Sequence, residues 1–150
     1  MTVKTFTLMR FPVFIPIAIL SMCLMVWLMH SFTLNISDSS TSRGVYYMQA
    51  ITHAKAGDLV MMREPMKSVA ALAGQHVRFS PQGVYVDGRL LPNSAPELAL
   101  ARVCPFGDYI VPPNMFLAMG TNNPDSFDGR YECFETQNLI VGKAVPMVTW

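Results

Sequence analysis

The sequence predicts a mostly β fold, a folded or barrel-like antiparallel sheet, preceded by one N-terminal transmembrane helix. Three observations support this prediction: an apolar block from Phe11 to Met29 without a charged residue, a series of short apolar runs after it, and an Asp87-Gly88 pair between two of those runs. Strands are rich in β-branched and aromatic residues and are bounded by Gly, Pro, Asn and Asp, and Asp-Gly is a strong hairpin signal. We therefore expect one helix followed by one β domain.

The apolar block has 19 residues, close to the roughly 20 that cross a bilayer as a helix. Pro12 and Pro16 fall in its first third, where a helix tolerates proline because its first amide groups have no partner within the helix. Lys4 and Arg10 precede the block, and the next basic residue is Arg43. The positive-inside rule then places the N-terminus in the cytoplasm and the rest of the chain across the membrane.

The chain is thus expected to be a single-pass inner-membrane protein with three parts. A cleaved signal peptide is the first alternative, although its apolar region is usually only about 7–15 residues long and ends in a small-x-small site. A buried core helix is the second alternative. The expected parts are a cytoplasmic N-terminus at 1–10, an anchor at 11–30 and a periplasmic domain at 31–150.

Composition limits what this domain binds. Hydrophobic residues make up 51% of the chain and charged residues 14%, and every acidic residue lies at or beyond Asp38. The part after the apolar block is nearly neutral, so it has no basic surplus for nucleic acid, and its aromatic content argues against disorder. About 115 residues remain after the block, enough for one compact domain.

The apolar runs after the block are interpreted as strands. Only the segment from Met66 to Ala73 has helical character. Methionines in and before this segment are interpreted either as core filler or as an apolar surface that lies on the membrane. The predicted strands are 44–48, 58–62, 76–79, 84–86, 89–91, 109–111, 115–119 and 139–145.

The cysteines and histidines indicate no metal or cofactor. Cys104 and Cys133 are the only cysteines of the exported part, and an even number in an oxidising compartment favours a disulfide over two buried thiols. His53 and His76 stand at unrelated spacings and are interpreted as surface or strand residues. No CxxC, HExxH, P-loop or GxSxG pattern is present.

Three segments are candidates for chemistry. A serine-rich stretch at 35–44 is either a solvated linker or a catalytic loop. Lys67 is the only charge in an apolar run; partial desolvation there would lower its pKa and suit it as a general base, whereas a lysine that extends from a strand edge into water is the alternative. In the Gly-, Asn- and Asp-rich segment 119–131, Asp128 and Arg130 are expected to pair across a turn.

Taken in order, these segments resemble the S26 signal peptidases, in particular the TraF-type branch associated with plasmid conjugation. The resemblance spans about residues 11–148, and the order of the motifs carries it. The sequence also departs from the family pattern, for example at Ser42 in place of a proline. The matching stretches are Ser40-Thr41-Ser42-Arg43-Gly44-Val45-Tyr46, Ala56-Gly57-Asp58-Leu59-Val60, Lys67 to Val77, Gly120 to Arg130, and Ile140-Val141-Gly142-Lys143-Ala144.

The resemblance implies a signal peptidase domain with a serine–lysine dyad and no cofactor. Ser40 would attack the scissile carbonyl of a pre-protein, and neutral Lys67 would accept its proton. Ser126 would hold the lysine amine, while Asp128 and Arg130 would shape the loop. The implied substrate is an exported pre-protein, in this branch a conjugative pilin precursor that is matured and, in some members, cyclised.

Two alternatives remain at this point. Counting back from Gly44 selects Ser40 as the nucleophile, whereas counting forward from Asn35 selects Ser39, with Ser37 two residues before it in a supporting position. The departures around the nucleophile also allow a catalytically inactive, membrane-anchored assembly subunit of a conjugation or secretion apparatus with the same fold.

Overall fold

A computed structural model describes residues 11–36, 41–62, 66–99, 103–120 and 122–150. It contains one long helix, a short second helix, a 3-10 turn and eleven strands in the described part of the chain. The elements are α1 (Phe11–Ser31), β1 (Phe32–Asn35), β2 (Gly44–Gln49), β3 (Leu59–Met61), β4 (Met66–Leu72), β5 (His76–Ser80), β6 (Gly83–Val86), β7 (Arg89–Leu90), β8 (Gly107–Ile110), β9 (Met115–Met119), α2 (Gly129–Glu132), β10 (Glu135–Thr136), a 3-10 turn (Gln137–Leu139) and β11 (Gly142–Thr149).

Helix α1 is long and apolar enough to cross a membrane. Pro16 lies inside it without ending it. Its described side chains are exposed almost throughout, as expected for a helix that is to be surrounded by lipid. It leads directly into β1, so the start of the β domain lies at the end of the helix.

The strands form two antiparallel sheets. A seven-stranded sheet has the order β1-β2-β11-β3-β4-β9-β10, and a four-stranded sheet has the order β7-β6-β5-β8. A core cluster joins them, because it contains Ala71 and Leu117 of the large sheet with Val77, Phe79 and Val84 of the small one. The prediction of a mostly β, folded antiparallel domain after one apolar helix is confirmed.

The Asp87-Gly88 hairpin between β6 and β7 forms as predicted. Asp87 has φ 47° and Gly88 has φ 82°, and two consecutive positive φ values are what a tight hairpin turn of this kind requires. Asp87 also accepts from the backbone N–H of His76 at 3.1 Å.

The predicted helical character of the segment from Met66 to Ala73 is wrong, because residues 66–72 form strand β4. Met, Ala and Leu favour helix locally, but β4 lies between β3 and β9, and its hydrogen bonds to both override that preference. Its side chains are buried on both faces, and a register shift between Val69 and Ala71 sends these two residues into different core clusters.

The structure decides two further expectations, on the methionines and on the last strand. Met62 and Met66 are buried in core clusters, which favours the core-filler interpretation over a membrane surface. The predicted strand at 139–145 begins later than expected, because Leu139 ends a 3-10 turn and β11 starts at Gly142.

Candidate active site

Lys67 lies on β4 and is buried, with 4% of its surface exposed. It pairs with Val60 of β3 and is therefore inside the sheet, so the alternative of a lysine that extends from a strand edge into water is wrong. Its Nζ donates to Ser126 Oγ at 2.7 Å and to the Phe127 carbonyl oxygen at 2.8 Å. The structure thus brings together two candidate residues that lie 59 positions apart.

The surroundings of Lys67 lower its pKa below the usual 10.5. Removal of water from the buried ammonium is the main cause, because burial disfavours the charged form of a lysine. Asp128 and Glu132 oppose this shift, and Arg130 adds to it. The net effect shifts the equilibrium toward the neutral amine, the form that can accept a proton.

Asp128 and Arg130, which both influence the Lys67 pKa, form a fully buried ion pair. Arg130 Nε lies 2.9 Å from one Asp128 carboxylate oxygen, and Arg130 Nη2 lies 3.0 Å from the other. Both side chains have an exposed fraction of 0%. Asp128 also accepts from the backbone N–H of Gly120 at 2.7 Å and caps α2 through the N–H of Arg130.

Arg130 hydrogen-bonds to the surrounding loops as well as to the Asp128 carboxylate. Its guanidinium donates to the carbonyl oxygens of Asn93 at 2.9 Å and Ser126 at 2.6 Å, and also to that of Pro124. Arg130 therefore stabilises the loop that presents the Ser126 hydroxyl and the Phe127 carbonyl to Lys67. The hydrogen bonds that it donates are charge-assisted and stronger than neutral ones.

The candidate serines Ser37, Ser39 and Ser40 lie outside the described residues. On either side of them, Asn35 and Thr41 are each 6% exposed, whereas Ile36 is 67% exposed. The Asn35 side chain donates to Thr41 Oγ1 at 3.0 Å and to the Ser42 carbonyl oxygen at 3.1 Å.

The chain after the candidate serines contacts the loop that holds Lys67. The Asn122 side-chain amide donates to Ser42 Oγ at 3.2 Å, and Asn122 belongs to the same loop as Ser126. A cleft of about 550 Å³ lies beside this contact. Its lining residues are mostly polar and include Thr41, Ser42, Arg43, Asn122, Asn123, Asp125 and Trp150.

A disulfide joins Cys104 to Cys133 at the end of α2. The backbone N–H of Cys104 also donates to the carbonyl oxygen of Arg130 at 2.8 Å. Together these two links tie the residues after the buried ion pair to the segment before β8. Cys23 lies in α1 with its side chain exposed.

The histidines lie away from this site. His53 and His76 are both exposed, and His76 contacts Asp108 at 3.4 Å on the surface. Among the described residues, no three His, Cys, Asp or Glu side chains come together as metal ligands.

Comparison with known proteins identifies the family. The family described as signal peptidase, peptidase S26, matches residues 6–150. The chain belongs to the S26 signal peptidase family. A relative described as a probable signal peptidase I-2 of Synechocystis is 30% identical over 79 residues, and the alignment spans 53% of this chain but only 35% of that relative. A crystal structure of a signal peptidase I from Enterococcus faecalis V583 is 20% identical, with a TM-score of 0.42, and the match covers 63% of this chain and 98% of that one.

In this S26 chain, sequence reasoning missed three residues that shape the site. Asn35 entered only as a counting point for the register, yet its amide contacts the chain beyond the serines. Tyr46 donates from its hydroxyl to the Ser42 carbonyl oxygen at 2.5 Å, and Asn122 contacts Ser42 Oγ. Tyr46 and Asn122 both lie in stretches that carry the resemblance, which was the available signal.

Proposed function

We propose that this S26 family chain is a membrane-anchored serine endopeptidase that removes leader segments from exported pre-proteins. Lys67 is the general base, and Ser40 is the nucleophile, with Ser39 as the alternative. Ser126 holds the lysine amine, and Ser37 is a supporting residue. The proposal follows from family membership together with the environment of Lys67.

The observation that carries the proposal is the hydrogen bonding of the Lys67 amine. A neutral amine has two N–H donors and one lone pair. Ser126 Oγ and the Phe127 carbonyl oxygen accept from Nζ at 2.7 and 2.8 Å, so these two contacts engage its N–H donors and fix the position of the amine. Burial supplies the second requirement, because it lowers the pKa of Lys67 and favours the neutral form.

The reaction is an acyl transfer in two steps. The serine Oγ forms a bond to the scissile carbonyl carbon while its proton passes to Lys67 Nζ. The tetrahedral intermediate then expels the new amino terminus, which takes that proton from Nζ, and leaves an ester on the serine. Attack by water, with Nζ again accepting the proton, releases the carboxylate and restores the serine. The backbone N–H of the nucleophile is a natural donor to the developing oxyanion.

The setting proposed for this chemistry is the periplasmic face of the inner membrane. Helix α1 would anchor the chain with residues 1–10 in the cytoplasm, and the catalytic domain would stand where a leader segment emerges from the same bilayer. The order of the motifs, as in the TraF-type branch, favours a pilin precursor of a conjugation system as the substrate. A cyclic product would instead follow a cut near the carboxyl end of the precursor, which leaves the pilin itself as the ester on the serine; attack by the pilin's own amino terminus, in place of water, then closes the chain.

The test is a processing assay with the full-length chain in detergent micelles. The substrates are a pilin precursor and a pre-protein with an apolar leader and an Ala-x-Ala site. Ser39→Ala, Ser40→Ala and the double variant are compared with wild type, and Ser80→Ala, on β5, is the matched control. We expect Ser40→Ala and the double variant to lose cleavage, while Ser39→Ala and Ser80→Ala retain it.

The other possible outcomes of this assay each lead to a different conclusion. If Ser39→Ala abolishes cleavage and Ser40→Ala does not, Ser39 is the nucleophile, and the proposal of a serine–lysine dyad still holds. Full processing by the double variant would refute both serines as the nucleophile, whereas no cleavage of either substrate by the wild-type chain would support an inactive assembly subunit. Cleavage of the Ala-x-Ala substrate without cleavage of the pilin precursor would refute the pilin assignment. A pilin product one water lighter than the cleaved chain would show cyclisation.

A further inference from the structure

The end of β1 and the start of β2 are joined by a set of buried and partly buried hydrogen bonds around the Ser42 carbonyl. Asn35 is the last residue of β1, and its Nδ2 lies 3.0 Å from Thr41 Oγ1, 3.1 Å from the Ser42 carbonyl oxygen and 3.4 Å from the Thr41 carbonyl oxygen. One side-chain amide therefore links the end of β1 to both Thr41 and Ser42.

Tyr46 holds the same carbonyl from the other side. It is 2% exposed on β2, and its hydroxyl donates to the Ser42 carbonyl oxygen at 2.5 Å. Burial raises the pKa of this hydroxyl above 10.0, although a hydrogen bond with Thr41 opposes the shift. The hydroxyl therefore stays protonated and able to donate. The peptide unit after Ser42 is thus fixed by an amide and a phenol together.

The neighbouring strands make these two donors rigid. Asn35 pairs with Gly44 and Thr33 pairs with Tyr46 in the register of β1 and β2, so both donors stand on hydrogen-bonded backbone. Gly44 permits this, because a Cβ there would lie 2.3 Å from the Val148 carbonyl oxygen of β11. Any side chain at 44 would push β2 and β11 apart and move Tyr46 with them.

We propose that Asn35 and Tyr46 are positioning residues for the nucleophile, acting through the Thr41 and Ser42 carbonyls that they hold. This inference rests on the proposed function. Neither residue touches the reacting atoms; each restricts the orientation of the peptide units that immediately follow the proposed serine. Misplacing a nucleophile by about 1 Å can slow the reaction about 100-fold. Loss of the hydrogen bonds from Asn35 or Tyr46 should therefore lower kcat.

Asn35→Asp tests the inference with almost no change in volume. The carboxylate cannot donate and meets two carbonyl oxygens where the amide met them with N–H groups. We expect kcat to fall by about 100-fold, with KM and the pH of the ascending limb of the rate profile nearly unchanged. Asn138→Asp, an exposed substitution on the 3-10 turn, is the matched control and keeps wild-type kcat.

Tyr46→Phe keeps the test decisive if Asn35→Asp fails to fold. It removes only the hydroxyl, and we expect kcat to fall by up to about tenfold, the range of one hydrogen bond. A folded Asn35→Asp protein with wild-type kcat would overturn the inference. So would Tyr46→Phe with unchanged kcat, or variants in which melting temperature and KM change while kcat does not.

The failure of this inference can be told apart from the failure of the proposed function. If Lys67→Met and the double serine variant are inactive but Asn35→Asp is not, the dyad stands and the positioning role falls. If Lys67→Met retains activity, the proposed function falls, whatever Asn35 does.

Discussion

Replacing Lys67 with methionine is expected to abolish processing while leaving the protein folded and at least as stable near neutral pH. Methionine has nearly the length of lysine and no charge to desolvate. Loss of a general base typically costs about 10²–10⁴-fold in rate. The measurement is kcat/KM for pre-protein cleavage together with urea unfolding of the same preparation.

The difference in free energy of unfolding between Lys67→Met and wild type should depend on pH. The folded pKa of Lys67 is lowered below 10.5, so between the folded and unfolded pKa values the unfolded chain binds more protons. The wild-type free energy of unfolding therefore gains a rising contribution from Lys67 in that window. The advantage of Lys67→Met is largest below the folded pKa and shrinks as the pH rises toward 10.5.

Lys55→Met is the matched control, because Lys55 is exposed. It should leave both cleavage and the pH dependence of stability above neutral pH unchanged. A Lys67→Met protein that cleaves at the wild-type rate would remove the base from the proposed mechanism. A folded variant with much lower stability at neutral pH would contradict the cost assigned to burying the amine.

Replacing Arg130 with methionine is expected to cause the largest loss of stability. The change leaves the Asp128 carboxylate buried without its cation, and removal of one partner of a buried pair costs about 3–5 kcal/mol. Several loop carbonyls lose a donor as well. The free energy of unfolding from urea titration measures the effect.

Arg78→Met is the control, because Arg78 meets Asp108 at 3.7 Å with more than half of each side chain exposed. Surface pairs contribute only about 0–1 kcal/mol. The double variant Asp128→Asn with Arg130→Met should lose less than the sum of the two single losses, because no lone charge remains. Equal losses for Arg130→Met and Arg78→Met would contradict the structural role given to the buried pair.

Local chemistry predicted much of the fold. The Asp87-Gly88 turn formed because its backbone preference is set by two residues. The segment from Met66 to Ala73 was misjudged, since its strand state depends on β3 and β9, which lie far away in sequence. The late start of β11 likewise reflects a turn that the apolar run at 139–145 concealed.

The site was only partly predictable for the same reason. Lys67, Ser126, Asp128 and Arg130 stood out through charge in apolar surroundings and through resemblance, and the structure brings them together. Asn35 could not be recognised as a buried donor, because its burial follows from the packing of β1 against β2.

The pH dependence of kcat/KM tests the central claim most directly. It is measured for the full-length chain in micelles between about pH 5 and the usual lysine value of 10.5, using a peptide with an apolar leader and an Ala-x-Ala site. A lysine base that is active only when neutral predicts a single rising limb with an apparent pKa below 10.5. A profile that stays flat across this range would contradict a serine–lysine dyad.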